Sequence, residues 1–225
     1  MPTLPDHVRS IVTEIETDIG ESTGLQDATH GDSPETDDSV RIEHAVRDIL
    51  TEIGEDPDRE GLRRTPERIH RMYHELTAGY HVDPDRLING AVFAVDYSEM
   101  VVVKGIEFYS LCEHHLLPFF GTAAVGYLPR DRVIGLSKIP RIVEMYARRL
   151  QVQERLTQEV ADFLMKTIDP HGVGVVIEAQ HLCTAMRGVR KGGATMVTSA
   201  VLGQFRRSQR TREEFLAHLE RGDNR

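Results

Sequence analysis

The stretch "FYSLCEHHLLPFFGTAAVGYLP" (residues 108–129) combines strand-forming sequence with a cluster of reactive side chains. Aromatic and β-branched residues predict a strand on each side, and the second strand is expected to end at Pro129. Between the strands lie Cys112, Glu113, His114 and His115. Thiolate, carboxylate and imidazole groups at such short spacing indicate either a chance arrangement or a metal site.

Blocks of helical and strand periodicity surround this stretch. Helices are predicted from a cap at Ser39 to Gly54, from Thr65 to Gly79, over much of 133–168, and in "TREEFLAHLE" (211–220); strands are predicted in residues 91–111, 172–183 and 194–205. The order of helices, paired strands, paired helices, paired strands and a last helix predicts an α+β fold. We expect an antiparallel four-stranded sheet packed on helices.

The N-terminal segment differs in composition from the rest. The chain has 225 residues and a net charge of −9, and residues 1–40 hold ten acidic residues against one basic residue. A short amphipathic helix is predicted over residues 6–19, and the polar sequence after it predicts a disordered linker. We therefore expect an acidic, largely disordered extension at 1–38 and a catalytic domain at 39–225. The acidity argues against nucleic acid as a partner of this extension.

Several classes of protein are disfavoured by what the sequence lacks. No run approaches the roughly 20 apolar residues that a membrane span requires. The N-terminus has no secretion-signal pattern, so we expect a cytoplasmic protein in which Cys112 and Cys183 stay reduced. Neither G-x-G-x-x-G nor a P-loop pattern is present, so the sequence indicates no dinucleotide or P-loop phosphate site.

A metal site is favoured by the surroundings of the two cysteines. Cys112 and His115 form a C-x-x-H pair, which is a weak signal alone, and a lone histidine is more often a surface or core residue. However, Cys183 also has a histidine, His181, two positions before it. Three protein ligands with one open position are typical of a catalytic zinc ion. His114 and His181 then remain as candidates for acid–base chemistry near neutral pH.

Basic residues near two predicted helix starts and beside Cys183 suggest an anionic substrate. They are Lys138 and Arg141, beside Ser137, in "GLSKIPRIV", Arg187, Arg190 and Lys191 after Cys183, and Arg68 in "TPERIHR". Any one group is more simply explained as a solvated charged face, but together they favour a polyanion such as a triphosphate. Gln153 and Glu154 lie in the predicted turn between helices, where a carboxylate can accept two N–H bonds from a planar donor.

Four segments resemble the GTP cyclohydrolase I family. They are "SLCEHHLLPFFGTAAVGYLP" (110–129), "VIGLSKIPRIVEMYARRLQVQERLTQEV" (133–160), "HLCTAMRGV" (181–189) and "TREEFL" (211–216). The resemblance covers roughly residues 40–220. It implies conversion of GTP and water to 7,8-dihydroneopterin triphosphate with release of formate, the entry to pterin and folate synthesis.

The same resemblance implies a role for each candidate residue. Zinc would be held by Cys112, His115 and Cys183, and protons would be transferred by His114 and His181. Guanine would be anchored by Glu154, with Gln153 beside it. The ribose and triphosphate would be contacted by Ser137, Lys138, Arg141 and Arg187, and Arg68 would reach the site from a neighbouring subunit.

The fold implied by the resemblance is the tunnelling fold, in which strands from several subunits close a barrel. Family members are toroidal decamers with sites at subunit interfaces, so we expect a homo-oligomer that binds GTP and neither nucleic acid nor membrane. Two alternatives stay open. One is another enzyme of this fold, pterin-forming or nitrile-reducing, and the other is a zinc-stabilised assembly module without activity.

Overall fold

The computed structural model describes residues 38–220, so the predicted helix at 6–19 and the linker after it lie outside the described residues. The helices are α1 (Asp38–Glu52), α2 (Thr65–Leu76), a 3-10 helix (Ala78–Tyr80), α3 (Pro84–Ile88), α4 (Lys138–Ala147), α5 (Gln153–Ile168), α6 (Leu182–Ala185), α7 (Gln204–Arg207) and α8 (Gln209–Glu220). The strands are β1 (Val92–Ala94), β2 (Val101–Cys112), β3 (Pro118–Leu128), β4 (Arg132–Ile134), β5 (Leu150–Gln151), β6 (Gly172–His181) and β7 (Met196–Gly203). The chain divides into two compact units between Pro66 and Glu67.

The first unit contains helix α1, which was predicted from its apolar spacing. The helix begins at Asp38, so Ser39 lies inside it and the predicted cap is wrong by a short distance. The helix ends at Glu52, shortly before the predicted end at Gly54. Gly54 follows with a φ of +88°, which glycine adopts more readily than other residues. Arg47, inside the helix, pairs with Asp58 in the following turn at 2.8 Å, and because both side chains are exposed the pair contributes little to stability.

The second unit is built on a five-stranded sheet with the order β5-β2-β3-β6-β7. The four long strands are antiparallel, as predicted, which confirms the α+β class. The fifth strand, β5, was missed; it is two residues long and pairs parallel to the end of β2. So short a strand has no periodicity that sequence could reveal.

The predicted strand over residues 91–111 is divided in the structure. Its first part, β1, pairs with β4 in a separate two-stranded sheet, and the long strand β2 begins only at Val101. The intervening sequence "VDYSEM" (95–100) includes acidic and small polar residues, which are depleted in strands. The correction shortens β2 but leaves its end at Cys112.

The core lies where α4 and α5 pack on the sheet. Fully buried side chains from the sheet include Phe108, Phe119 and Ile177, and those from the helices include Ile142 and Leu156. Burial of these apolar side chains away from water makes the largest favourable contribution to the stability of such a layer. The layer brings the start of α5 close to the ends of β2 and β6.

Gly79 was predicted to stop the second helix. That helix ends at Leu76, and Gly79 lies in the 3-10 helix, where its N–H donates to the carbonyl oxygen of Arg148 at 2.9 Å. A Cβ at this position would lie only 2.1 Å from the carbonyl oxygen of Met145. Glycine is therefore required here for a close approach of two backbones.

Within residues 38–220, no helix has both the length and the apolar character needed to cross a membrane.

Candidate functional site

The strand register brings the two cysteines together although they are far apart in sequence. Leu111 pairs with Pro118 across β2 and β3, and Phe119 pairs with His181 across β3 and β6. The start of β3 therefore lies between the ends of β2 and β6. Cys112 ends β2, and Cys183 lies in the short helix α6 directly after β6, so both reach the same edge of the sheet.

Cys112, His115 and Cys183 form a group that can hold a metal ion. One potential ligand atom from each of them lies within 4.8 Å of the other two. Both cysteines are buried and neither forms a disulfide, whereas His115 is exposed. Two thiolates and one imidazole are donors that zinc prefers, and three protein ligands leave one position open.

A tight turn presents the two histidines after β2. The N–H of Leu116 donates to the carbonyl oxygen of Cys112 at 2.8 Å, and Leu116 has a φ of +54°. This turn brings Nδ1 of His115 to 3.8 Å and Nδ1 of His114 to 3.9 Å from Cys112 Sγ. Of these two histidines, only His115 belongs to the group with Cys183.

The electrostatic surroundings of Cys183 suit a cation. Burial raises the pKa of its thiol, and the neighbouring Cys112 raises it further, while Arg187 acts in the opposite direction. Two sulfurs this close cannot both ionise at low cost unless positive charge compensates them. A bound metal ion supplies that charge, so the donor set fits a metal.

His181 lies beside the metal group, at the end of β6. Its ring stacks on Phe119 with the centroids 4.7 Å apart and the planes 3° from parallel. Burial lowers the pKa of His181, and the nearby carboxylate of Glu154 partly opposes this shift. The imidazole is therefore favoured in its neutral form, in which one nitrogen can accept a proton.

Gln153 and Glu154 are the first two residues of α5, not turn residues as predicted. Glu154 is exposed, whereas Gln153 is completely buried. The side-chain amide of Gln153 contacts His181 and groups of β6 and β7. The side chain has no exposed surface through which a substrate could reach it.

The remaining predicted contacts lie at three places. Ser137 and Lys138 are at the start of α4, and the side chain of Ser137 makes no capping hydrogen bond; Arg141 follows within the first turn. Arg187 is exposed after α6. Arg68 is exposed in the first turn of α2. The predicted helix starts near Lys138 and before Arg68 are confirmed.

Sequence reasoning missed an ion pair beside the metal group. Glu113 was noted in the opening stretch but given no role, and its carboxylate accepts a hydrogen bond from Arg155 at 2.5 Å. This hydrogen bond lowers the pKa of Glu113. Phe119, which supports the His181 ring, was also missed, because a stacking partner on a neighbouring strand leaves no signal in a single sequence.

Comparison with known proteins gives consistent matches. The family model described as GTP cyclohydrolase I matches residues 42–220. GTP cyclohydrolase 1 of Synechococcus sp. (strain JA-3-3Ab) is 53% identical over 204 residues, which cover 89% of each chain. GTP cyclohydrolase 1 of Leptospira biflexa is 53% identical over 183 residues, 81% of this chain and 100% of the relative, and that of Chlorobaculum tepidum is 56% identical over 172 residues, 76% and 77%.

Among solved structures, the archaeosine synthase QueF-Like in the apo form matches with a TM-score of 0.41 and 18% identity, over 48% of this chain and 97% of that chain. We draw nothing further from so limited a similarity.

Proposed function

We propose a specific reaction for this chain, which belongs to the GTP cyclohydrolase I family and is an enzyme with GTP cyclohydrolase activity. It converts GTP and water to 7,8-dihydroneopterin triphosphate and formate. This is the first step of pterin and tetrahydrofolate synthesis. The observation that carries the proposal is the convergence of Cys112, His115 and Cys183 at the edge of the sheet where β6 ends in His181.

The metal is proposed to be zinc, held by Cys112, His115 and Cys183. Soft thiolate ligands with an imidazole favour zinc over magnesium or calcium, which prefer oxygen ligands. When zinc is bound with one open position, it lowers the pKa of a water molecule to about 7.

Two histidines are proposed to move protons. His181 is held against Phe119 and is favoured in the neutral form, so it can accept a proton from the reacting substrate and return it later. His114 is exposed and lies beside Cys112, where it can exchange protons with solvent during purine ring opening. Loss of formate and rearrangement of the ribose both need such transfers.

Substrate binding is proposed to use three groups of residues. Glu154 would accept hydrogen bonds from the guanine edge; Gln153, which the resemblance places beside it, is buried and is considered separately below. Ser137, Lys138, Arg141 and Arg187 would contact the ribose and the triphosphate, helped by the N–H groups at the start of α4. Arg68 would come from a neighbouring subunit.

The assembly is proposed to be a homo-oligomer, with a decamer as the expected state, in the tunnelling fold. Strand β7 pairs only with β6 within the described residues, and it presents an open edge that a neighbouring subunit can pair with. Residues 39–225 would form the catalytic domain and residues 1–38 an extension to it.

The proposal is tested with purified protein, GTP and zinc analysis. We expect equal amounts of formate and of a pterin that becomes fluorescent after oxidation, with about one zinc ion per subunit by elemental analysis. Formate without a pterin would contradict the proposed product. Full activity after complete removal of the metal would contradict the proposed cofactor, and a zinc-loaded protein without turnover would favour an assembly module.

A further inference from the structure

We propose that Gln153 is a positioning residue that fixes the orientation and the tautomer of His181, instead of contacting the substrate. The inference rests on the proposed acid–base role of His181. It changes the role of Gln153 that the family resemblance implied, and it follows from how the buried amide is bonded.

The orientation of the Gln153 amide is determined by its neighbours. Its Nε2 donates to the carbonyl oxygen of Ile177 at 3.0 Å and to that of Met196 at 2.9 Å, and lies 3.1 Å from Thr198 Oγ1. Backbone carbonyl oxygens only accept hydrogen bonds. Rotation of the amide by half a turn would place its oxygen against both carbonyl oxygens, so the NH₂ group must face them.

This orientation decides which nitrogen of His181 carries the proton. The remaining amide atom, Oε1 of Gln153, lies 2.8 Å from Nε2 of His181, and an amide oxygen only accepts. Nε2 of His181 must therefore be the donor. A neutral imidazole has one N–H group, so Nδ1 is left as the proton acceptor of the ring.

The ring is also restrained in space. Stacking on Phe119 fixes the plane of the His181 imidazole, and the hydrogen bond from Nε2 fixes its rotation within that plane. Gln153 has no exposed surface, so water does not compete for this bond. Its partners belong to β6 and β7, and Gln153 itself starts α5, so three elements of the core together position one imidazole.

The test is a double-mutant cycle for GTP turnover in the zinc-loaded enzyme. Gln153→Met keeps a side chain of similar length and removes the acceptor for His181. We expect kcat to fall about 10- to 100-fold while KM changes less than about threefold, because the imidazole loses its orientation and tautomer. In the His181→Ala background, the same substitution should change kcat less than about twofold, because its target is absent.

A matched control separates positioning from general damage to the buried cluster. Thr198→Val removes a hydroxyl that contacts Gln153 Nε2 and Thr157 Oγ1 but leaves the bond to His181. It should lower the melting temperature and leave kcat within about threefold of the wild type. A loss of kcat as large as that of Gln153→Met would overturn the inference.

A second measurement does not depend on whether Gln153→Met folds. In wild-type enzyme labelled with ¹⁵N-histidine, the ring nitrogens of His181, assigned by comparison with His181→Ala, should report the Nε2–H tautomer. The Nδ1–H tautomer would overturn the inference.

The outcomes also distinguish this inference from the proposed function. If His181→Ala leaves kcat unchanged, the acid–base role of His181 is wrong, and the inference fails with it. If His181→Ala lowers kcat but Gln153→Met lowers it by the same factor in both backgrounds, Gln153 acts directly and this inference alone is overturned. A rise in KM with unchanged kcat would likewise favour a substrate contact and overturn it.

Discussion

At the scale of single residues, two adjacent histidines lie at nearly the same distance from Cys112, but only one of them belongs to the metal group. Nδ1 of His114 and Nδ1 of His115 lie 3.9 Å and 3.8 Å from Cys112 Sγ. Only His115, however, also lies close to Cys183. An ion that both sulfurs share can therefore reach His115 and leaves His114 free for another role.

Substitution of each histidine tests this difference. His115→Ala should lose most of its zinc after dialysis, whereas His114→Ala should keep about one ion per subunit and lose about 10²- to 10⁴-fold in turnover, as expected for an acid–base group. Elemental analysis and the rate of formate release measure both effects. Loss of zinc in His114→Ala, or retention of zinc and activity in His115→Ala, would reverse the assignment.

At the scale of elements, an ion pair ties the turn after β2 to the start of α5. Arg155 donates to Glu113, to the carbonyl oxygen of Leu150 at 2.9 Å, and to Gln151 Oε1 at 2.9 Å. The N–H of Glu113 also donates to the carbonyl oxygen of Gln151 at 3.0 Å. These contacts connect the turn that carries His114 and His115 to the helix that begins with Gln153.

The ion pair predicts a pH dependence of stability. The hydrogen bond from Arg155 lowers the pKa of Glu113 in the folded state, so the pair stabilises the fold above the ordinary glutamate pKa of about 4.3. This contribution is lost as pH falls through the lowered pKa of the folded state. Because both side chains are partly exposed, Glu113→Gln should lower the melting temperature at pH 7 by only about 2 °C or less.

The difference in melting temperature between wild type and Glu113→Gln should shrink in acid, as measured by thermal unfolding at each pH. Glu55→Gln is the matched control, because Glu55 forms a similar exposed pair with Arg59 at 2.8 Å in the other unit. Both variants should lose a similar, small amount of stability, but only Glu113→Gln should change KM or kcat. If the two variants have the same kinetics as the wild type, the pair does not support the turn.

At the scale of the whole molecule, the family match leaves most of the acidic N-terminal segment outside it. The family model matches residues 42–220. The Leptospira biflexa relative is aligned over its full length with only 81% of this chain. That relative therefore has no counterpart for part of this chain, whereas the alignment with the Synechococcus relative covers 89% of the chain. The proposal that residues 1–38 are an extension to the catalytic domain is tested by deletion.

Deletion of residues 1–38 tests the domain boundary. We expect kcat and KM for GTP to stay within about twofold of the full chain and the mass of the assembly to fall only by the deleted residues, since the proposed ligands and bases all lie beyond the cut. Steady-state kinetics and light scattering measure both. A large loss of activity, or a smaller number of subunits, would mean that the segment contributes to the site or to assembly.

The sequence by itself determined the type of most elements and predicted the residues of the candidate site. Helical spacing predicted α1, α4, α5 and α8, and strand-forming composition predicted β2, β3, β6 and β7, because these patterns depend on neighbours along the chain. The C-x-x-H pair and the second cysteine also pointed to a metal without any structure. The four sequence segments that carry the family resemblance, and their order in the chain, were also recognisable without a structure.

Only the tertiary structure decided which of these residues meet. Cys183 reaches Cys112 because β3 pairs with both β2 and β6, and strand register is a property of the sheet and not of any local spacing. The burial of Gln153 and its bond to His181 likewise depend on the packing of α5 against β6 and β7. Local sequence patterns indicate which residues are candidates for the site. The distances between these residues are set by contacts between segments that are far apart in the chain.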